Sequence, residues 1–318
     1  MIAYLIRRVL QAIIVVWLVT VLTFVLLKLL PGGPVRAILG QRASDTALVN
    51  ALTHQLGLDK PIWYQYWHWL DGLLHGNFGF SYAQNQTVSS LLGQRLPKTL
   101  LLLGTSTLLA LIIAIPVGVA QAVRRNKAFD YVGTGLSFLF YAMPAYLIGL
   151  ILIQVFALNL HIFPPEAAQG STIGSFFTDF NAMVLPILSL ALITIAAFSR
   201  YMRSSTLDQI TQDYVRTARA KGAGEQRILY RHILRNALIP IATLIGLSLG
   251  FIFSGALITE FVFNYPGMGL LFITAATTQD YPILLGVTVI VAFATVVGSL
   301  VADILYAVLD PRVRYVSS

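Results

Sequence analysis

Six apolar runs govern what this chain can become. Near residues 9–30, 100–123, 132–158, 183–199, 237–262 and 283–307 the sequence carries at most one charged residue per run. Each is long enough to cross a hydrocarbon core of about 30 Å. In lipid no water satisfies backbone N–H and C=O groups, so a spanning segment is a helix or part of a closed barrel, and runs this long are helices. The expected fold is therefore an all-α polytopic membrane protein with six transmembrane helices. A hydrophobic fraction of 57% beside 11% charged residues places the chain outside the soluble range. The first run is too long for a signal-peptide core and has no small-x-small cleavage site after it, so it reads as a retained anchor.

The basic residues set the orientation. Arg7 and Arg8 precede the first run, and Arg124, Arg125 and Lys127 follow the second. The loop between the fourth and fifth holds Arg200, Arg203, Arg216, Arg219, Lys221, Arg227, Arg231 and Arg235, and Arg312 and Arg314 follow the sixth. The opposite side has Arg36, Arg42, Lys60, Arg95 and Lys98, all in one long segment. This excess places both termini and the 200–236 loop in the cytoplasm. Lys28, near the outer end of the first run, is expected to snorkel to the interface. A formal charge of +8 on a soluble surface would suggest nucleic acid. Here the basic residues lie between apolar runs, so topology explains them and nucleic acid is not an expected partner.

Three regions follow: residues 1–30, an extracytoplasmic segment 31–98, and a five-helix core 99–318 that includes the cytoplasmic loop 200–236. In the outer segment, Asp59-Lys60-Pro61 reads as a helix start. Trp63, Tyr64, Tyr66, Trp67 and Trp69 then fit a stretch lying at headgroup level. Pro31, Gly32, Gly33, Gly76 and Gly79 suit a compact irregular fold.

The conspicuous polar stretch is Asp213 to Glu225. Asp213 can cap a helix and Gly222 can close it in the left-handed conformation, leaving a helix about 12 Å long. Tyr214, Thr217, Ala218 and Lys221 are placed on one face by their spacing. Thr217, Ala218, Ala220, Gly222 and Ala223 are small enough for another protein to approach the backbone. Such a short helix is not stable alone and needs a partner. Beyond it, Arg227, Arg231 and Arg235 form a stripe opposite Ile228, Leu229 and Ile233.

Other candidate chemistries are weaker. Gly246–Gly250 matches the G-x-S-x-G pattern, which requires a strand-to-helix elbow, yet lies inside an apolar run. Gly246, Gly250 and Ser254 read better as a small-xxx-small packing stripe. His54, His68, His75, His161 and His232 have no ligand spacing, and without cysteine there are no disulfides or thiolate metal sites. No metal site is expected. The sequence holds no G-x-x-x-x-G-K-[ST] phosphate loop, so ATP is not hydrolysed here by that route. Glu260 and Asp303 are acids near the membrane, but each sits near a helix end, where a structural role is at least as good a reading as a functional one.

The run Tyr214-Val-Arg-Thr-Ala-Arg-Ala-Lys-Gly222, with Arg-Asn-Ala-Leu-Ile-Pro240 after it, resembles the cytoplasmic coupling loop of ABC-importer permeases, most closely the dipeptide/oligopeptide branch. The likeness extends to Leu30-Pro-Gly-Gly-Pro34, Gly76-Asn-Phe-Gly-Phe-Ser-Tyr82, Glu260-Phe-Val-Phe-Asn-Tyr-Pro-Gly267, Asp280-Tyr-Pro282 and Leu309-Asp-Pro-Arg312. The resemblance implies a multi-pass subunit of the bacterial inner membrane that pairs with a homologous second permease. It further implies two cytoplasmic ATPases, which bind ATP and Mg, and an extracytoplasmic substrate-binding protein. No cofactor is expected in this chain. The implied coupling residues are Tyr214, Arg216, Thr217, Ala218, Lys221, Gly222 and Ala223. In the general pattern Glu-Ala-Ala stands three residues before the glycine; those places hold Arg216, Thr217 and Ala218, so the glutamate is absent. The implied substrates are di- and oligopeptides, with nickel, glutathione or another small solute as the alternative within the same frame. From other classes, an ion-coupled transporter or channel is disfavoured by the scarcity of mid-membrane ionisable residues, and a membrane hydrolase rests on the G-x-S-x-G match alone.

Overall fold

The computed structural model describes residues 2–29, 33–39, 43–170, 172–252 and 256–309. Leu30, Pro31, Gly32, Ser254, Arg312 and Arg314 lie outside the described residues. In chain order the helices are α1 (Ile2–Lys28), α2 (Gly33–Leu39), α3 (Thr46–Gln55) and α4 (Ile62–Leu74). After a two-residue antiparallel pair, β1 (Phe80–Ser81) with β2 (Gln86–Thr87), come α5 (Val88–Val123), α6 (Ala128–Ala142) and α7 (Ala145–Leu152). A π-helical stretch, Ile153–Asn159, leads on to α8 (Gly174–Thr178), α9 (Phe180–Ile210), α10 (Asp213–Ala220) and α11 (Glu225–Ile228). A second π stretch, Leu229–Ile233, precedes α12 (Leu234–Ile252), α13 (Leu257–Val262), α14 (Met268–Thr278) and α15 (Tyr281–Leu309).

The protein is an all-α polytopic membrane protein. Four helices among the described residues are long and apolar enough to cross a bilayer: α1, α5, α9 and α15. The third expected run is not one straight helix. It is α6 and α7 with its π extension, bent by 106°. Proline disfavours helical backbone in the residue before it, and Met143, preceding Pro144, is extended at ψ 135°. Counted as one span, the pair makes five. The fifth expected run is described as α12 and α13, with 253–255 between them outside the described residues. Helix α5 starts well before its apolar run: the Thr87 hydroxyl accepts from the Ser90 N–H at 3.4 Å, a capping bond. Residues 88–98, read from sequence as outer segment, are therefore helical.

The chain divides into two compact units. The first holds, of the described residues, those within 2–99, 256–257 and 266–297. In it α4 splits its aromatics: Tyr66 is buried against Phe24 and Trp69, while Trp63, Tyr64 and Trp67 are exposed. One face thus anchors the helix on α1, and the other is exposed. Lys28 does not simply reach for water. Its ammonium hydrogen-bonds the Gln65 side chain and lies 5.5 Å from the centroid of the Phe24 ring. A second core joins Val88, Leu91 and Leu92 of α5 to Met268 and Leu271 of α14 and Ile283, Leu284 and Val287 of α15.

The second unit holds, of the described residues, those within 100–252, 258–265 and 298–309. Its long member is α9, against which α5 and α12 pack through Ala114, Phe198, Met202, Ala237 and Ile241. The Ser205 hydroxyl donates to the Ala237 carbonyl at 2.9 Å, tying α9 to the start of α12. Gly118 of α5 makes the close approach possible, since a Cβ there would lie 2.6 Å from the Ser199 carbonyl oxygen and 2.7 Å from Met202 Cβ. Gly118→Ala is expected to destabilise the protein by about 1–3 kcal/mol, the usual cost of overpacking. Thermal unfolding of the purified protein in detergent checks this, and an unchanged midpoint would contradict it.

Candidate functional site

The loop between α9 and α12 is built on a small apolar seat. Val215, Ile228 and Ile233 are buried together, with Ile210, Tyr214, Ala218, Ala223 and Leu229 packed around them. Tyr214 is further fixed by its hydroxyl, which donates to Gln209 Oε1 at 2.8 Å. The eight residues of α10 thus have the partner that a helix of this length requires, and it is their own chain.

The end of α10 is a Schellman motif. The Gly222 N–H donates to the Arg219 carbonyl at 2.9 Å, and the Ala223 N–H reaches the Ala218 carbonyl at 3.2 Å. Gly222 takes the left-handed conformation this needs, at φ +79°. Ala218 and Ala223 meet in the apolar seat, the contact that accompanies the motif. Arg219 then grips Glu225 across the turn, Nε to Oε1 at 2.7 Å and Nη2 to Oε2 at 3.0 Å. Chiefly through these hydrogen bonds, and against an opposing effect of desolvation that its charge helps to offset, Arg219 holds the Glu225 carboxyl below the usual carboxylate range. A depressed carboxylate supports the folded turn above its unfolded pKa, so the grip is present at neutral pH and is lost as pH falls through the lowered value. Being exposed, the pair aims the chain more than it stabilises it.

Two details differ from the sequence reading. The cap position is Gln212, in extended backbone, and Asp213 is the first helical residue, where its charge still favours the helix dipole. Burial divides the face of Tyr214, Thr217, Ala218 and Lys221: Tyr214 and Ala218 are half-buried in the seat, whereas Thr217 and Lys221 are exposed. Arg216 is exposed and, among the described residues, pairs with Asp213 at 3.5 Å. The buried anchor is Val215, which the sequence reading passed over. The face turned to water carries Asp213, Arg216, Thr217, Ala220, Lys221 and Gly222.

Arg227, Arg231 and Arg235 are exposed and Ile228 and Ile233 buried, but the π stretch at Leu229–Ile233 changes the pitch between them. Gly246 and Gly250 lie in α12 as continuous helix, so Gly246–Gly250 is not a nucleophile elbow. Ser254, the last member of their stripe, is outside the described residues. Glu260 is fully buried in α13, and Asp303 falls on α15.

Above the loop, α9 and α6 share an ion pair. Arg203 donates to both Asp130 oxygens, Nε at 2.6 Å and Nη2 at 2.8 Å. Asp130 also accepts from the Asn126 N–H at 3.0 Å, and its side chain is only 3% exposed. Beside this pair a cleft of about 430 Å³ opens between the two helices. Arg200 lines it, 4.5 Å from the Phe138 ring centroid and 5.2 Å from that of Tyr141. Sequence spacing showed neither feature.

Residues 106–315 match the family described as binding-protein-dependent transport system inner membrane component, and residues 1–103 match its N-terminal counterpart. The chain is 43% identical to the oligopeptide transport system permease protein AppB of Bacillus subtilis, over 99% of this chain and 100% of that one. It is 36% identical to the glutathione transport system permease protein GsiC of Salmonella choleraesuis, over 99% and 100%. With the family pattern running through nearly every residue, the chain belongs to the inner membrane components of binding-protein-dependent transport systems.

Proposed function

We propose that this chain is one of two membrane subunits of an ATP-driven importer of di- and oligopeptides. The observation that carries the reading is α10, a helix seated firmly by its own chain that still presents a face of small and polar residues to water. Two cytoplasmic ATPases, which supply the ATP and Mg sites, receive that face through Arg216, Thr217, Lys221 and Gly222. Val215, Tyr214, Ala218 and Ala223 transmit their movement to α9 and α12. Coupling requires the two transporter states to bind the ATPases differently, and a helix held at both ends to the bundle meets that need. The experiment is co-expression with the second permease and the ATPases, followed by affinity purification through this chain. Stoichiometric recovery of the ATPases is expected, and their absence would overturn the assignment.

The topology that serves this role has six spans with both termini and the 200–236 loop inside. Residues 31–98 then form the outer region that receives the substrate-binding protein, and 99–318 the pathway core. Since the chain has no natural cysteine, single introduced cysteines report without background. Gln84→Cys is expected to react with an impermeant maleimide in spheroplasts and to crosslink to the loaded binding protein, while Ala220→Cys is protected. The reverse labelling pattern would contradict the topology. Crosslinks at 263–282 instead of 31–98 would move the docking surface there.

Glutathione is the second substrate reading, favoured by the glutathione permease relative. Substrate choice is assigned mainly to the binding protein, because the described spans hold few ionisable groups. Exchanging that protein is expected to shift preference more than point changes in this chain. A span substitution that redirects preference among peptide side chains would contradict this.

A further inference from the structure

We propose that the cleft between α6 and α9 holds the α-carboxylate of a peptide in transit, with Arg200 as its cation; this rests on the peptide-importer reading above. Arg200 directly follows the apolar run 183–199 on α9, at the end of that run nearest the 200–236 loop. A charged side chain at such a helix end faces water or a partner rather than hydrocarbon. Among the described residues no carboxylate of this chain meets it. The neighbouring acid, Asp130, is already gripped on both oxygens by Arg203. The cleft therefore carries a net positive charge that its own residues leave unbalanced.

The surroundings suit a carboxylate. Phe138 and Tyr141 hold the guanidinium at cation–π distance, which steadies a planar cation whose N–H fork matches a carboxylate. Thr134, Tyr201 and Ser204 add hydroxyls to the wall, and about 430 Å³ lies within the range of sites that take small ligands. A lipid phosphate offers the same anionic chemistry, and retention of phosphatidylglycerol separates the two sources. The α-carboxylate is also the one anion that every linear peptide shares. A contact to it selects for no side chain, in keeping with specificity assigned to the binding protein.

The test uses the complete transporter in proteoliposomes, with its second permease, ATPases and binding protein. The substrates are one tripeptide and its C-terminal amide, each supplied on saturated binding protein. Arg200→Gln is expected to lower uptake of the free acid about tenfold, the scale of a lost hydrogen bond to a charged group, and to leave the amide within about twofold. Arg200→Lys keeps the charge and is expected to restore part of the difference. Equal loss for acid and amide, or no loss, overturns the proposal. Equal loss together with loss of co-purified phosphatidylglycerol assigns the cleft to lipid instead. Should Arg200→Gln fail to assemble, Phe138→Leu keeps the charge and removes a stacking ring. It is expected to lower the acid-to-amide ratio about threefold, and an unchanged ratio overturns the proposal. If the wild-type transporter takes up neither peptide, the peptide reading itself is wrong; normal uptake with an indifferent Arg200→Gln removes only the carboxylate site.

Discussion

Arg203→Gln is expected to destabilise the protein by about 3–5 kcal/mol, because it leaves the Asp130 carboxylate buried without its counter-charge. Asp130 is 3% exposed, and Arg203, 27% exposed, supplies two of its hydrogen bonds. The Asn126 N–H and the Thr134 hydroxyl, at 3.0 and 3.5 Å, cannot replace a guanidinium. Asp130→Asn should cost less, since the cation left behind is partly solvated. The double variant, neutral at both positions, should recover much of the loss, because desolvation of a buried pair offsets most of its attraction. Thermal unfolding of the purified protein separates these outcomes. Single variants as stable as the wild type would show that the pair does not hold α6 to α9.

Gly222→Asp is expected to abolish retention of the ATPases, or to leave hydrolysis running while uptake falls about tenfold or more, a loss of roughly 1.4 kcal/mol of coupling. Two effects combine. A side chain at φ +79° carries a left-handed penalty of about 1–2 kcal/mol, softened for Asp, which visits that region more readily than most residues. The greater effect lies outside the chain. Apart from its chain neighbours, no atom of the described residues lies within 4 Å of a Cβ built at Gly222, so the added bulk and charge meet solvent or a docked partner. Val215→Asp attacks the same helix from beneath, by placing a carboxylate in the seat of Ile228 and Ile233. It should unseat α10 and lose coupling without altering the outward face. Arg216→Ala should do less than Gly222→Asp, since among the described residues its ion pair is with exposed Asp213 and it stands where the general pattern has a glutamate. Intact ATPase retention and uptake in both Gly222→Asp and Val215→Asp would remove α10 from the coupling role.

The parts of this fold that sequence exposed are those with a local cause. Apolar length marks α1, α5, α9 and α15, because lipid demands continuous hydrogen-bonded helix. Gly222 was legible because a left-handed residue three positions past an alanine-rich turn has few alternatives. Features with a remote or compensated cause were not. Pro144 sits among apolar residues whose hydropathy passes straight through the bend. The start of α5 is hidden because Gln94, Arg95 and Lys98 interrupt the apolar signal without interrupting the helix. The π stretches at Ile153–Asn159 and Leu229–Ile233 have no compositional signature, and the second shifts the register of the Arg227–Arg235 stripe. Val215 was missed because its burial comes from Ile228 and Ile233, beyond the turn. Arg203 lies seventy-three residues from Asp130, and only folding joins them.

The central claim is that this membrane subunit moves peptides by way of ATP hydrolysed on partner proteins. The most direct measurement is uptake of a labelled oligopeptide into proteoliposomes containing the complete transporter and loaded binding protein, with ATP supplied to the ATPases and ionophores collapsing every ion gradient. Uptake is expected to persist with the ionophores and to stop when ATP is replaced by a non-hydrolysable analogue. Uptake that disappears with the gradients while ATP is plentiful would contradict the account.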